Sequence, residues 1–280
     1  MTQVLSNKVK TLSTHSHKLT PYSLSAADRQ GLVFEIISTR IAEDSDKKYV
    51  IYTLQVRFIS GTDDPNPSVI DRRYTDFLNL YNSLKRDYPS LMANVTFPKK
   101  VLTGNFDSEL ISQRSTYFES LLKHVCVESK LRTSAPLTIF MQEPELTKAK
   151  ELLAKCEFDA AQKLLEENFK LLNKVFLDRS PVVLLALCRL VGCSVLIPGM
   201  VNAKRWAELA LYRYEGVSDS ELLELYLPLL NACTKIWWME GDMKTDLETR
   251  LNNLQRRGIK INSDVNLLEA INEVEKKYIN

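Results

Sequence analysis

Two hydrophobic periods that cannot share one element follow each other along the first half of the chain. Residues 32–41, LVFEIISTRI, and 49–59, YVIYTLQVRFI, are rich in β-branched and aromatic side chains. That is the composition of a pleated, half-buried strand. The turn between them holds EDSDKK and the next holds GTDDPNP, a cluster of the residues that reverse a chain. A third, short strand is expected from about Ser68 to Tyr74. Three consecutive strands with short polar connections predict an antiparallel meander. The period then becomes helical: Phe77, Leu80, Tyr81, Leu84 and Tyr88 fall at i, i+3, i+4, i+7 and i+11. Thr75 or Asp76 is placed to cap this helix and Pro89 to end it. An irregular stretch, NVTFPKKVLTGNF, leads to a second helix expected from Asp107 or Ser108 to about Val127. Its stripe is Leu110, Ile111, Tyr117, Phe118, Leu121, Leu122 and Val125. Pro136 and Pro144 are expected to break the chain around a short LTIFM turn.

From Thr147 onward strand character disappears. Seven helices are expected, over about 147–156, 158–176, 181–195, 200–214, 219–240, 242–257 and 264–278. The segment KELLAKCEFDAAQKLLEEN places a small-residue turn before an aromatic, then Ala161, then Leu165. Small residues that let two helices approach, and large ones that fill the groove, are the packing logic of a tetratricopeptide (TPR) hairpin. Related pieces at AKRWAELALYRY and WWMEGDMKTDLETRL recur at an irregular period. The chain therefore divides into a disordered Ser/Thr/Lys-rich tail (1–28), an α+β domain (29–146) and an all-α, TPR-like helical-repeat domain (147–280).

A formal net charge of +2 argues against bulk capture of nucleic acid. An anionic partner would have to be read by particular positions. No run of about 18 apolar residues exists to span a bilayer, so membrane contact is expected to be peripheral. The five cysteines, Cys126, Cys156, Cys188, Cys193 and Cys233, are scattered and odd in number, as free thiols in a reducing compartment would be. The histidines do not cluster with them, so neither a metal nor another cofactor is expected. No GxSxG, P-loop or Cys–His spacing is present, and no enzymatic activity is expected. His124 on the second helix reads as a surface or interface residue rather than a base.

The informative string is RRYTDF, residues 72–77, at the junction of third strand and first helix. Adjacent arginines beside an aromatic have a plain meaning too, a solvated strand end with a packing tyrosine. Arg114 changes the weighing, because it falls on the apolar stripe of the second helix. A guanidinium there is costly unless it is paired, for instance with Asp76, snorkels at the helix edge, or reaches an anion. Lys99 and Lys100 follow Pro98 in the intervening loop, where their ammonium groups can act as mobile point charges. Three separate elements can thus converge on one anion, with Tyr74 as a flat face for a sugar-like ring. Such a site suits a phosphorylated cyclic polyol and holds nothing that makes or breaks bonds.

On these residues, positions 29–146 resemble the phox-homology (PX) domain. The match comprises three strands, the RRYTDF string, a helix, a proline-containing loop with lysine, and a long helix carrying Gln113-Arg114. The resemblance implies that Arg73 holds the 3-phosphate of phosphatidylinositol 3-phosphate and Tyr74 packs beneath the inositol ring. It implies that Lys100 meets the 1-phosphate, with Lys99 as the alternative, and that Arg114 bonds the 4- and 5-hydroxyls. Arg72 is expected to support the structure or the membrane surface. One departure is that the family's PPxPxK loop is here VTFPKK, with a single proline. Val101 and Leu102, beside the lysines, resemble the membrane-inserting loop, whereas Phe106 is expected to staple the following helix.

A PX domain followed directly by a TPR-like domain resembles the sorting nexins of the PXB type, over about 250 of the 280 residues. The implied function is an adaptor on the cytosolic face of early endosomes, its PX half finding the lipid and its helical half holding a protein partner. Trp206, Trp237 and Trp238 are candidate anchors for that partner, but at least two of them are expected in the core. The alternative is a protein–protein scaffold without lipid affinity, Arg73 and Arg114 being held in internal ion pairs.

Overall fold

The computed structural model describes residues 31–44, 47–60, 62–197, 202–214, 224–239 and 266–279, with isolated positions between 199 and 256. The tail expected over 1–28 lies outside them, as do most of the helix expected over 242–257 and the start of the one expected from 219. Two compact units divide the chain. One combines Leu24–Lys148 with Lys170–Leu177, and the other combines Ala149–Phe169 with Asp178–Asn280.

The first unit is built on an antiparallel meander. Strands β1 (Leu32–Asp44) and β4 (Ser68–Arg73) both pair with the central β2 (Lys47–Ser60). The GTDDPNP turn contains a two-residue strand, β3 (Thr62–Asp63), which folds back on Ile59 and Ser60. Period-two burial holds where the sequence alternates: Tyr52, Leu54, Val56 and Phe58 of β2 point into the core, and β4 alternates buried and exposed residue by residue. A bulge between Ile36 and Ser38 adds one residue to β1. The Ile36 N–H beside it is taken by the Glu119 carboxylate at 2.7 Å, as a freed strand donor requires.

Helix α1 (Tyr74–Asp87) follows β4 without a linker, and α2 (Ser108–Val127) follows the irregular loop. The start of α1 differs from the expected one. Neither Thr75 nor Asp76 caps it; Arg73 is the N-cap residue, and Asp76, in the first turn, reaches back to accept the Arg73 N–H at 2.7 Å. This is the acidic half of a capping box. Asp107 caps α2 by accepting the N–H groups of Glu109 and Leu110 at 2.9 and 3.1 Å. The core between sheet and helices is aromatic. Phe77 and Phe118 stack with centroids 3.9 Å apart, and Tyr52 meets Phe118 edge-on at 5.0 Å. His124 is half-buried, its Nε2 bonded at 2.9 Å to the Leu91 carbonyl, a structural tie.

The break expected at Pro136 and Pro144 is absent. After a short turn of helix, α3 (Ser129–Arg132), helix α4 runs unbroken from Ala135 to Ala154, and the helix expected over 147–156 is its continuation. Pro136 lies in the first turn, where a backbone donor has no helical partner anyway. Pro144 removes an interior donor and would orphan the Phe140 carbonyl. That carbonyl instead accepts from Arg72 Nε at 2.7 Å. The rest of the Arg72 guanidinium is held by the Asp71 carbonyl and by both Glu145 carboxylate oxygens at 2.7 and 2.8 Å. Arg72 is therefore a structural residue, 1% exposed.

In the second unit, α6 (Pro181–Ser194) begins with proline in its first turn and is buried from Val183 to Ser194. Such an all-round apolar helix must be surrounded. Its neighbours are α7 (Ala203–Tyr214), α8 (Tyr226–Met239) and α9 (Leu267–Ile279). Helix α5 (Phe158–Val175) contributes Phe169, edge-on to Trp206 at 5.6 Å. Trp206 and Trp237 are each 1% exposed and belong to the core, whereas Trp238 is 69% exposed. The Glu275 carboxylate of α9 pairs with buried Arg189 and with Lys150.

The Arg72 clamp carries the first prediction. Removing one member of a buried ion pair costs about 3–5 kcal/mol, so Arg72→Met should lower stability by about that amount in denaturant titrations. A loss below about 1 kcal/mol would contradict the structural role assigned here.

Candidate functional site

Strand alternation sorts the two adjacent arginines. With Arg72 turned into the core, Arg73 must face outward, and it is exposed. Arg73 is paired with Ile51 of β2, so Tyr49, two residues along the same face, comes beside it. The Arg73 guanidinium lies over the Tyr49 ring, 3.6 Å from its centroid. An aromatic face holds a guanidinium in place without neutralising it. Among the described residues no carboxylate forms an ion pair with the Arg73 side chain.

Tyr74, the first residue of α1, is half-buried against Phe97 and Phe118, with centroids 5.7 and 6.1 Å away. Its hydroxyl donates to the Pro98 carbonyl at 2.8 Å, which pins the loop just before the two lysines. Burial pushes the phenol above its ordinary pKa, against the opposing pull of the Arg114 charge. The hydroxyl therefore remains a donor throughout the neutral range.

Arg114 is the unusual member of the group. It is 2% exposed, on α2, with its guanidinium over the Tyr74 ring, 4.3 Å from the centroid. Both terminal nitrogens donate to a single neutral acceptor, Asn105 Oδ1, at 3.2 Å each. Its Nε has no hydrogen-bond partner of good geometry. Burial pushes the nearby Tyr52 phenol up, with Arg114 pulling it the other way. Neither plain expectation for Arg114 holds. It does not snorkel, and Asp76 is engaged by the Arg73 backbone instead. A buried guanidinium that meets an amide, a ring face and the neighbouring Tyr52 phenol, with no counter-charge among the described residues, costs stability.

Tyr74 and Arg114 are thus in direct contact, and Arg73 adjoins Tyr74 in the chain while resting on Tyr49. Lys99 and Lys100 are exposed, on the loop fastened at Pro98 on one side and Asn105 on the other. Among the described residues Lys100 forms no hydrogen bond or cation–π contact with the other three. The two apolar loop residues differ in setting. Val101 is half-buried, its carbonyl accepting from Asn105 Nδ2 at 3.3 Å, while Leu102 is 97% exposed. Phe106 is 44% exposed. Tyr49 and Asn105 were not anticipated from the sequence. Tyr49 was recoverable from period-two spacing once the strand register was known; Asn105, a polar residue in an aperiodic loop, gave no signal.

The family model of the PX domain matches residues 60–144. Human sorting nexin-21 is 34% identical over 231 residues, which cover 82% of this chain and 61% of that protein. Bovine sorting nexin-20 is 30% identical over 226 residues, covering 81% of this chain and 70% of that protein. The chain belongs to the sorting nexins, of the PXB type. It spans about three-fifths of the length of the sorting nexin-21 proteins that it matches. Among solved structures, the mouse SNX19 PX domain with bound sulphate ion is 26% identical at a TM-score of 0.32, covering 38% of this chain and 92% of that one. In this sorting nexin the matched segment contains Arg73, Tyr74, Lys100 and Arg114, whereas Tyr49 precedes it. No described helix is long and apolar enough to cross a membrane.

Arg72 and Arg114, both buried in the first unit, should respond oppositely to one substitution. A buried charge without a counter-charge can be replaced by an apolar side chain of similar size at no cost, or with a gain of up to about 1–4 kcal/mol. Arg114→Met should therefore match or exceed the native melting temperature, in contrast to Arg72→Met. A marked fall in melting temperature for Arg114→Met would mean that the guanidinium is part of the scaffold.

Proposed function

We propose that this sorting nexin is a peripheral adaptor that recognises phosphatidylinositol 3-phosphate on the cytosolic face of early endosomes. On this reading residues 29–146 form the lipid-binding PX domain. Residues 147–280 form a TPR-like domain that recruits a protein partner for endosomal sorting. Arg73 takes the 3-phosphate and Tyr74 supports the inositol ring. Lys100 or its neighbour Lys99 takes the 1-phosphate, and Arg114 takes the 4- and 5-hydroxyls. No catalytic step and no cofactor enter.

The observation that carries the reading is the buried Arg114 side chain, held against Tyr74 with a neutral amide as its acceptor. Protein interiors tolerate such a group where function requires it. A scaffold without lipid affinity would need carboxylates for Arg73 and Arg114, and among the described residues no ion pair is present for either. Leu102, 97% exposed next to the lysines, supports shallow insertion beside the headgroup; half-buried Val101 would follow only with movement of the loop. In the helical domain, exposed Trp238 and Met239 at the end of α8 supply apolar surface for a partner.

The test is co-sedimentation with liposomes that each carry one phosphoinositide. The native chain should bind the 3-phosphate lipid selectively. Arg73→Gln and Arg114→Gln should each lower affinity at least about tenfold, the equivalent of one lost charge-assisted contact, with the fold retained. Absence of binding by the native chain would leave the scaffold reading and overturn this one. Leu102→Glu should weaken capture by liposomes while leaving affinity for a short-chain soluble lipid unchanged. Equal loss in both assays would place Leu102 in the headgroup site rather than at the membrane.

A further inference from the structure

Asn105 performs two tasks with one side chain. Its Oδ1 accepts from both terminal nitrogens of the buried Arg114, at 3.2 Å each, and its Nδ2 donates to the Val101 carbonyl at 3.3 Å. The first contact occupies the donors that an oxygen-rich ligand would use. The second ties down the loop on which Leu102 stands almost fully exposed. Between them lies Gly104, at φ +75 with open space around it, a position that takes up a change of loop path easily.

We infer that Asn105 is an internal stand-in for the ligand, its amide oxygen filling the place of an inositol hydroxyl, and that headgroup entry displaces it. This rests on the lipid reading above. Arg114 is handed from one neutral acceptor to another, so the exchange changes no charge and the guanidinium is never left without a partner. Once displaced, Asn105 releases the Val101 carbonyl, and the 101–106 loop loses the side-chain tie across its turn. Headgroup affinity is accordingly reduced by the fraction of molecules in which Asn105 occupies Arg114. Occupancy of the site and freedom of the apolar loop are one equilibrium.

The experiment uses the full chain, isothermal titration with short-chain phosphatidylinositol 3-phosphate, and hydrogen exchange over residues 101–106. Asn105→Ala removes the competitor and should raise affinity by about threefold or more. It should also bring the exchange of the unliganded loop to the level the native protein reaches only when saturated. Asn105→Asp puts a carboxylate against Arg114 and should weaken binding at least about tenfold by charge pairing. Weaker binding by Asn105→Ala would make Asn105 a support for Arg114 rather than a stand-in and overturn the inference. Unchanged loop exchange in that variant would overturn the coupling. A native chain that gives no heat would instead bring down the lipid reading, and this inference with it.

Discussion

The Phe140 carbonyl is the point on which the arrangement turns. Pro144 deprives it of its helical donor, and the Arg72 Nε supplies the missing hydrogen bond while Glu145 takes the rest of the guanidinium. One interaction thereby lets α4 continue through a proline and commits β4 to a face. In a pleated strand successive side chains alternate, so holding Arg72 inside fixes Arg73 outside, at the residue where strand becomes helix. The same junction starts α1 at Tyr74 and sends that ring into the Phe97–Phe118 cluster, where Arg114 meets it. The candidate site is in this sense a consequence of how the strand is anchored.

What was legible in the sequence follows the strength of the local signal. The three strands of the meander, α1, α2 and most of the later helices were visible because burial imposes period two or 3.6 on the choice of residues. The two arginines were visible as a pair, and Arg114 as a charge on an apolar stripe. The failures share a cause. Pro144 was read as a stop because the group that rescues its orphaned carbonyl lies 68 residues earlier in the chain. Thr75 and Asp76 were read as caps because they are good capping residues; strand β4 running directly into α1 left that position to Arg73. Asn105 was invisible, since nothing periodic marks a loop amide whose partner is on the next helix. Tertiary partners decided each of these positions, and single-residue tendencies cannot anticipate them.

Arg72 and Arg114 make a controlled comparison within one unit. Both are guanidinium groups at most 2% exposed, and both touch an aromatic ring. Arg72 is saturated by a bidentate carboxylate and two carbonyls, whereas Arg114 shares one amide oxygen between two donors and leaves Nε unused. If Arg114 served only the fold, an apolar side chain would serve it as well or better. On the lipid reading proposed above, the asymmetry separates an arginine that builds a scaffold from one kept ready for an external oxygen. Burial alone, or charge alone, does not make that distinction.

The loop between α1 and α2 shows how readiness is reconciled with order. The resemblance to PX domains leads one to expect a proline-rich PPxPxK stretch, in which ring constraint fixes the backbone covalently. Here a single proline remains, and the loop is fastened by side chains instead: the Tyr74 hydroxyl on the Pro98 carbonyl, and the Asn105 amide on the Val101 carbonyl. Each net hydrogen bond of this kind contributes on the order of 1 kcal/mol, so each can be exchanged at ordinary temperature, as a ring constraint cannot. The two bonds are not equivalent, however. Tyr74 is buried among aromatics and protonated across the neutral range, so the Pro98 end stays fixed beside the lysines. The Asn105 end depends on an acceptor that any oxygen-rich ligand of Arg114 would replace. On the lipid reading, a loop clamped firmly at one end and conditionally at the other would present Lys99 and Lys100 to an approaching membrane before the site is filled. Exposed Leu102 is then free to meet the bilayer from the start, and half-buried Val101 would follow only afterwards.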